Sequence, residues 1–264
     1  LSGKNKFAAK LKKAKRPMII IGMGALVRVD GASLLGKARQ IAEKYGVVTD
    51  KWNGFNILHT AAARVAGLDM GFVPDRGGMN IAAMAAAAKA GSLDVLWSLG
   101  ADEIPYADFA SSFVIYQGHH GDAGAHHADI VLPGAAYTEK DGIYLNTEGR
   151  VQYANRAAFP PGEAREDWAI IRAVSGAIGK SIGMDSLAEV RSALCEVLPH
   201  FAMPDQISAA KWVKFGGRAK LKAQPITNAI ENFYMTCAIS RASETMAECR
   251  SAQQADVAGA VAAE

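Results

Sequence analysis

Cysteine is scarce in this chain: Cys195, Cys237 and Cys249 are the only three among 264 residues. An odd number without a C-x-x-C spacing argues against a disulfide framework and for a reducing compartment. Three thiols also fall short of the four that normally hold an iron–sulfur cluster. An excess of charge is lacking too. Lys and Arg number 29 against 26 Asp and Glu, a net charge of +3, which provides no global drive toward nucleic acid or a membrane surface. Long hydrophobic runs are absent: the most apolar stretch, Pro17 to Val27, has about half of the ~20 residues that a bilayer crossing needs. The start is basic, not apolar, so no secretory pattern is visible. Because the first residue is Leu1, the chain is expected to derive from a longer precursor or to be the lower part of a larger polypeptide.

What is present describes a globular protein. Half of the residues are hydrophobic, 21% are charged and 8% are aromatic, which allows a sizeable core and excludes disorder over most of the length. The length suits one large domain or two small ones at roughly 150 residues each. The first sixteen residues carry Lys4, Lys6, Lys10, Lys12, Lys13, Lys15 and Arg16 and no acidic residue. The plain reading is a solvated basic helix; the sharper one is a docking arm for an acidic partner surface. No aromatic residues are interleaved to stack on bases, so nucleic acid is not the expected partner.

From Pro17 the pattern turns to strand, turn and helix. Met18 to Ile21 is a continuous apolar run suited to a strand covered on both faces. Asp30 can cap a helix whose apolar positions Leu34, Ala38, Ile41, Ala42 and Tyr45 recur at helical spacing, with Gly46 placed to end it. Val47 to Thr49 reads as a strand. Ile57 to Ala66 and Asn80 to Ala90 carry helical patterns, the second nearly polyalanine and so either closely packed or weakly held. Apolar segments at Val95–Leu99, Phe113–Tyr116 and Ile130–Leu132 end near Gly or Pro. Strands alternating with helices imply an α/β fold with a doubly wound, mostly parallel sheet. Alternation on either side of Gly149, from Ile143 to Tyr153, predicts a β-hairpin. Pro160-Pro161-Gly162 breaks the chain before a helix using Ile170, Val174, Ala177 and Ile178. Another helix has Leu187, Val190, Leu194, Val197 and Leu198 on one face, with Ser186 and Glu189 at capping-box spacing. The organisation expected is a basic arm over 1–16, an α/β domain over 17–210, a C-terminal extension over 211–250, and a frayed, disordered tail over 251–264.

Three clusters could carry chemistry. Gly22-Met23-Gly24 sits where a dinucleotide fingerprint would, but Val27 stands at the third glycine's place, and tight turns use the same residues. His119, His120, His126 and His127, with Asp122 and Asp129, include common metal ligands. Adjacent side chains in an extended segment diverge, however, and Gly118, Gly121 and Gly124 mark a loop whose histidines can serve the backbone instead. Glu139, Asp141, Glu148 and Arg150 surround the hairpin and could do acid–base work or form ordinary ion pairs. Neither a G-x-S-x-G elbow nor a Walker loop occurs.

Tyr116-Gln117-Gly118-His119-His120-Gly121-Asp122, the run from Ala128 through Asp129, Val131, Leu132 and Pro133 to Lys140, and Asn146 to Gln152 together resemble the molybdopterin oxidoreductase fold. The version they resemble is that of the large iron–sulfur subunit of NADH:quinone oxidoreductases, respiratory complex I. Further matches are Pro161-Gly162 with Ala164 to Trp168, and Phe233 to Thr236 with Ile239 to Ser243. The likeness runs from about Pro17 to Cys249. The Gln-Gly-His-His-Gly-Asp run and the terminal piece are the parts most particular to that subunit. Departures are the second pair, His126-His127, which is outside the family pattern, the Gly-x-Gly turn, which is not a hallmark, and Cys237, where the family commonly has Asp.

The resemblance implies an accessory α/β region that binds no catalytic group, cofactor or metal of its own and has no independent activity. FMN and iron–sulfur clusters belong to the rest of the assembly, which transfers electrons from NADH to quinone and pumps protons. Its implied partners are the iron–sulfur-bearing N-terminal half of the same subunit, in the same or a separate chain, and other peripheral-arm subunits. Nucleic acid and direct membrane insertion are not implied. The place implied is the matrix side of the mitochondrial inner membrane, or alternatively the cytoplasmic face of a bacterial plasma membrane. The rival is part of a catalytic molybdopterin oxidoreductase such as a formate dehydrogenase, which would need a Cys, selenocysteine or Ser ligand and contacts to pterin phosphates.

Overall fold

The computed structural model describes residues 4–228, 230 and 232–262. The chain opens with α1 (Lys6–Lys13), β1 (Ile19–Gly22), the single turn α2 (Met23–Leu26) and α3 (Gly31–Tyr45). The strands β2 (Val48–Thr49), β3 (Trp52–Asn53) and β4 (Phe55–Leu58) follow, then helices α4 (Arg64–Asp69) and α5 (Ile81–Lys89). Next come β5 (Val95–Leu99), β6 (Phe113–Gly118), α6 (Ala123–His127) and β7 (Ile130–Pro133), and then the hairpin strands β8 (Gly142–Leu145) and β9 (Val151–Ala154). Helices α7 (Asp167–Ala177), α8 (Leu187–Val197), α9 (Ala238–Arg241) and α10 (Glu244–Ala262) complete the described chain. These elements form two compact units, neither continuous in sequence. One comprises the described residues of Leu1–Asp69, Tyr144–Gln152 and Met203–Glu231; the other those of Met70–Ile143, Tyr153–Ala202 and Asn232–Glu264.

In the first unit β1 and β4 pair in parallel, Ile19 opposite Phe55 and Gly22 opposite Leu58, while β2 and β3 form a short antiparallel pair. The helical pattern over Ile57–Ala66 is overturned here. Phe55 to Leu58 is a strand, and the helix begins only at Arg64. The three alanines Ala61, Ala62 and Ala63 extend the helical spacing, but pairing with the apolar run of β1 outweighs local propensity. Asp30 occupies the N-cap position of α3 without capping it. Its carboxylate instead takes bonds from Arg28 (Nε to Oδ1, 2.8 Å; Nη2 to Oδ2, 3.0 Å) and from the Lys222 amide (2.7 Å). Gly46 ends α3 in the left-handed conformation, φ 62°, as expected from its position.

Past Lys211 the sequence pattern is weak because the segment is held by side chains and not by periodic backbone bonds. Phe215 and Trp212 pack against Phe55 with ring centroids 5.5 and 5.3 Å away. Arg39 donates to the Phe215 carbonyl, and Gly217 lies so close to Gly36 that a β-carbon on Gly36 would strike its carbonyl. Two distant glycines thus set how closely this segment approaches α3.

The second unit is built on a parallel sheet of order β5-β6-β7. Its core joins Ala85 and Ala88 of α5 to Leu96, Tyr106, Phe109 and Val114. Ala88 is fully buried, so the near-polyalanine helix is of the closely packed kind; small side chains let it lie close to the strands. Asn80 caps it by accepting the Ala83 amide at 3.0 Å. At α8, Ser186 accepts the Glu189 amide, while Glu189 reaches back to the amide of Asp185, one residue beyond the usual reciprocal partner. The parallel strands and intervening helices bear out the α/β class, here distributed over two parallel sheets. The hairpin is also present. Asn146 Oδ1 closes its turn by accepting from Glu148 and Arg150, and Gly149 takes φ 85°. Helix α10 runs through the described part of the Ala-rich segment expected to be a frayed tail.

Candidate functional site

Ligands of open parallel sheets collect beyond the carboxyl ends of the strands. In the second unit that rim consists of the loops after Leu99, Gly118 and Pro133. Under the β5–β6 side lies a buried polar network. Tyr116 donates its hydroxyl to Asp102 Oδ2 (2.7 Å), the Gly124 amide donates to Asp102 Oδ1 (2.9 Å), and Tyr106 donates to the Ala101 carbonyl (2.8 Å). Tyr106 and Ser98 share a further bond of 2.5 Å. Burial and the Asp102 bond raise the Tyr116 hydroxyl well above the ordinary tyrosine range. Gly124 is required by packing, since a β-carbon there would collide with the Tyr116 ring.

Over this network Arg241, in α9, bonds Asp122 (Nε to Oδ2, 2.5 Å), Glu103 (Nη2 to Oε1, 2.7 Å) and the Met235 carbonyl (3.1 Å). On the β6–β7 side Gln117 donates to Asp167 Oδ1 at 3.0 Å, and Lys140 is ion-paired with Asp167. A cleft of about 450 Å³ opens there, lined by Gly118, His119, His120, Gly134, Glu139 and Glu163 among others. His119 and His120 face each other Nδ1 to Nδ1 at 2.6 Å, within hydrogen-bond distance. Burial, then His120 and Lys140, lower the His119 pKa.

Other candidates from the sequence have structural roles. His127 bonds the Ala123 carbonyl and stacks on Tyr106, and Asp129 accepts the Val114 amide, so both serve the backbone or the packing. Among the described residues, no three His, Cys, Asp or Glu side chains converge in a way that could hold a metal ion. Cys195 is in α8, Cys237 precedes α9 and Cys249 is in α10, all as free thiols. Gly22 and Gly24 belong to the turn into α2. Glu139 accepts the Ala136 amide, Asp141 the Arg156 amide, and Glu148 pairs with Arg150 at 3.3 Å. Sequence reasoning misses the Asp102–Tyr116 bond and the Arg241 contacts, because nothing local in sequence links residues so far apart.

The molybdopterin oxidoreductase family model matches residues 1–177, and a second model, for the C-terminal part of the NADH-ubiquinone oxidoreductase G subunit, matches residues 203–249. The NADH-quinone oxidoreductase G subunit of Rickettsia conorii is 45% identical, covering 96% of this chain and 36% of the relative. That of Rickettsia felis is 44% identical with the same coverage. The NADH-ubiquinone oxidoreductase 75 kDa subunit of Reclinomonas americana is 41% identical, covering 94% of this chain and 36% of the relative. The chain therefore spans about a third of the length of these relatives. Among solved structures, acetylene hydratase from Pelobacter acetylenicus overlaps 43% of this chain and 18% of its own, at 18% identity and a TM-score of 0.36.

The first family's name implies a molybdopterin cofactor, and the cleft does not fit one. An anionic phosphate group needs free amides or cations. Here the amides of Gly134, Ala135 and Ala136 already donate to Gly118, Arg165 and Glu139, and Lys140 is paired. Glu139 and Glu163 add carboxylates to the cleft wall, which disfavours an anionic group there. With one family model covering residues 1–177 and the second the segment from 203, the chain belongs to the molybdopterin oxidoreductase family, in the form carried by the NADH-quinone oxidoreductase G subunit.

Proposed function

We propose that this chain is the accessory α/β region of the large peripheral-arm subunit of a proton-translocating NADH:quinone oxidoreductase, and that it acts as a scaffold. Electrons from NADH pass through FMN and iron–sulfur clusters held elsewhere in the assembly. The chain's partners are the cluster-bearing half of the same subunit and neighbouring peripheral-arm subunits. Its place is peripheral, on the matrix side of the mitochondrial inner membrane or the cytoplasmic face of a bacterial one. Among the described residues no helix is long and apolar enough to cross a membrane.

The observation that carries this reading is that the two segments most particular to that subunit by resemblance, Gln117 to Asp122 and the terminal piece Phe233 to Thr236 with Ile239 to Ser243, meet through Arg241, which bonds Asp122 and the Met235 carbonyl. A polar strap lies where a cofactor-binding relative would need an open crevice and free donors. The exposed basic helix α1, capped by Asn5, supplies a cationic face for docking.

The test is purification of the NADH:quinone oxidoreductase from the source membranes with this chain tagged. The chain is expected to co-purify with the flavin and clusters. Replacing Cys195, Cys237 and Cys249 together by Ser is expected to leave cluster signals and electron transfer intact in assembled enzyme. Stoichiometric molybdenum, or a cluster signal lost from fully assembled triple mutant, overturns the reading. Reversing Lys10, Lys12 and Lys13 to Glu is expected to lower incorporation, most visibly at low salt, because exposed charges are screened over roughly 10 Å at 0.1 M.

A further inference from the structure

The net charge of +3 conceals an opposition between the two units. The first carries 19 Lys and Arg against 7 Asp and Glu, an excess of +12; the second carries 10 against 19, an excess of −9. A unit so strongly of one sign projects a field that draws oppositely charged surfaces.

Part of the excess in the first unit is the basic arm, and part is a second stretch far along the chain. Between Asp205 and Glu231 there is no acidic residue, while Lys211, Lys214, Arg218, Lys220 and Lys222 fall within twelve positions. All five are exposed, and among the described residues none of them is ion-paired.

This segment is fixed to α3 and the turn before it through its backbone. Arg28 donates to the carbonyls of Lys222 (2.9 Å) and Pro225 (3.1 Å), and Asp30 accepts the Lys222 amide. Arg39 donates to the Phe215 carbonyl (2.9 Å), and the Gly217 amide donates to the Ala32 carbonyl (2.5 Å). Attachment through main-chain groups consumes none of the five cationic side chains. Trp212 and Phe215 are interleaved with the cations but pack on Phe55 and on each other, with ring centroids 5.0–5.5 Å apart. They offer no platform on which bases could stack. Val213 and Ile226 are 60% and 64% exposed, yet among the described residues between Met203 and Asn232 no helix forms that could lay an apolar face into a bilayer. Single apolar side chains set among cations on a pinned backbone match the mixed chemistry of a protein interface.

We propose that the ribbon from Lys211 to Lys222 is a docking surface for an acidic face of a neighbouring subunit, a separate folded protein of the same assembly. Long-range attraction speeds encounter and fixes orientation between bodies that diffuse independently, whereas parts of one chain are already held together. The proposal rests on the proposed function for the assembly in which the partner is sought.

Carbodiimide cross-linking of the purified NADH:quinone oxidoreductase tests it, because the reagent joins a lysine amine to a carboxylate only when the two are in contact. Lys211, Lys214 or Lys220 is expected to be joined to an Asp or Glu of a different subunit. Cross-links confined to this chain or to the rest of its own subunit overturn the proposal. So does the absence of protein cross-links, the result expected if phosphates of lipid or nucleic acid cover the ribbon. As a second measure, Lys211→Glu, Lys214→Glu and Lys220→Glu together are expected to lower co-purification by about 10-fold at low salt, whereas Lys211→Arg, Lys214→Arg and Lys220→Arg retain it. Undiminished co-purification of the triple reversal counts against docking here. A misfolded reversal cannot pass for support, since the cross-links are read from unaltered enzyme. Should the chain purify apart from NADH:quinone oxidoreductase, the proposed function fails, and the same cross-links decide the ribbon's partner in whichever complex holds the chain.

Discussion

Arg241 and Asp122, 119 positions apart, are joined by a bond of 2.5 Å from Nε to Oδ2, and the same guanidinium holds Glu103 at 2.7 Å. Burial alone would raise the Asp122 pKa, yet the bond to Arg241 lowers it overall. Both side chains are about a quarter exposed, so solvent screens part of the attraction. Arg241→Met is expected to cost about 1–2 kcal/mol, and a double-mutant cycle with Asp122→Asn to give a coupling near ~1 kcal/mol, read from urea unfolding. A coupling indistinguishable from zero would reduce the contact to incidental surface pairing.

Tyr116 and Asp102 are both buried, at 2% and 9% exposure, so their bond has no solvent to replace it. Tyr116→Phe removes the donor and leaves a carboxylate oxygen short of a partner while keeping the packing around Gly124. The expected loss is about 1–3 kcal/mol. Thermal unfolding of the variant checks this, and an unchanged midpoint contradicts the assignment.

The Arg28–Asp30 pair predicts a pH dependence. The Arg28 bond, then the Lys222 amide, hold the Asp30 pKa well below the carboxylate range. Because the folded-state value is lower than the unfolded one, the stabilisation is fully present above the ordinary Asp pKa of ~3.9 and is lost as pH falls below it through the folded value. Wild-type stability should therefore fall more steeply below pH ~4 than that of Asp30→Asn. Proteolysis should release the segment around Lys222 first in the variant, since Asp30 and Arg28 bind its backbone. Parallel stability–pH curves would refute this.

Cys237 is the N-cap residue of α9, with extended backbone at φ −151° and no side-chain bond capping the helix. Its sulfur meets the Ser240 hydroxyl, Sγ to Oγ, at 3.2 Å. Aspartate accepts helix amides well at this position, so Cys237→Asp should stabilise by about 0.5–1 kcal/mol. A loss of stability would show that the thiol packs in a way a carboxylate cannot.

Asn80, Ser186 and Gly46 act at helix ends through neighbours within three or four positions, and each is legible from spacing alone. The hairpin is legible for the same reason, since Asn146 closes its turn on Glu148 and Arg150. Phe55 to Leu58 is different: its strand character depends on β1, more than thirty residues earlier, while the spacing beside it favours a helix. Asp30 has the sequence position of a cap, and nothing local signals that Arg28 and Lys222 compete for its carboxylate.

By itself the sequence determined the α/β class, most element positions and, through its motifs, the family. Those properties rest on local spacing and on short contiguous segments, which one chain displays in full. Only the tertiary structure decided that Arg241 binds Asp122 and Glu103, that the amides of Gly134 to Ala136 are already engaged, and that β4 pairs with β1 in parallel. Each depends on which distant groups share a few ångströms, and hydrogen bonds and packing act over that distance regardless of separation along the chain.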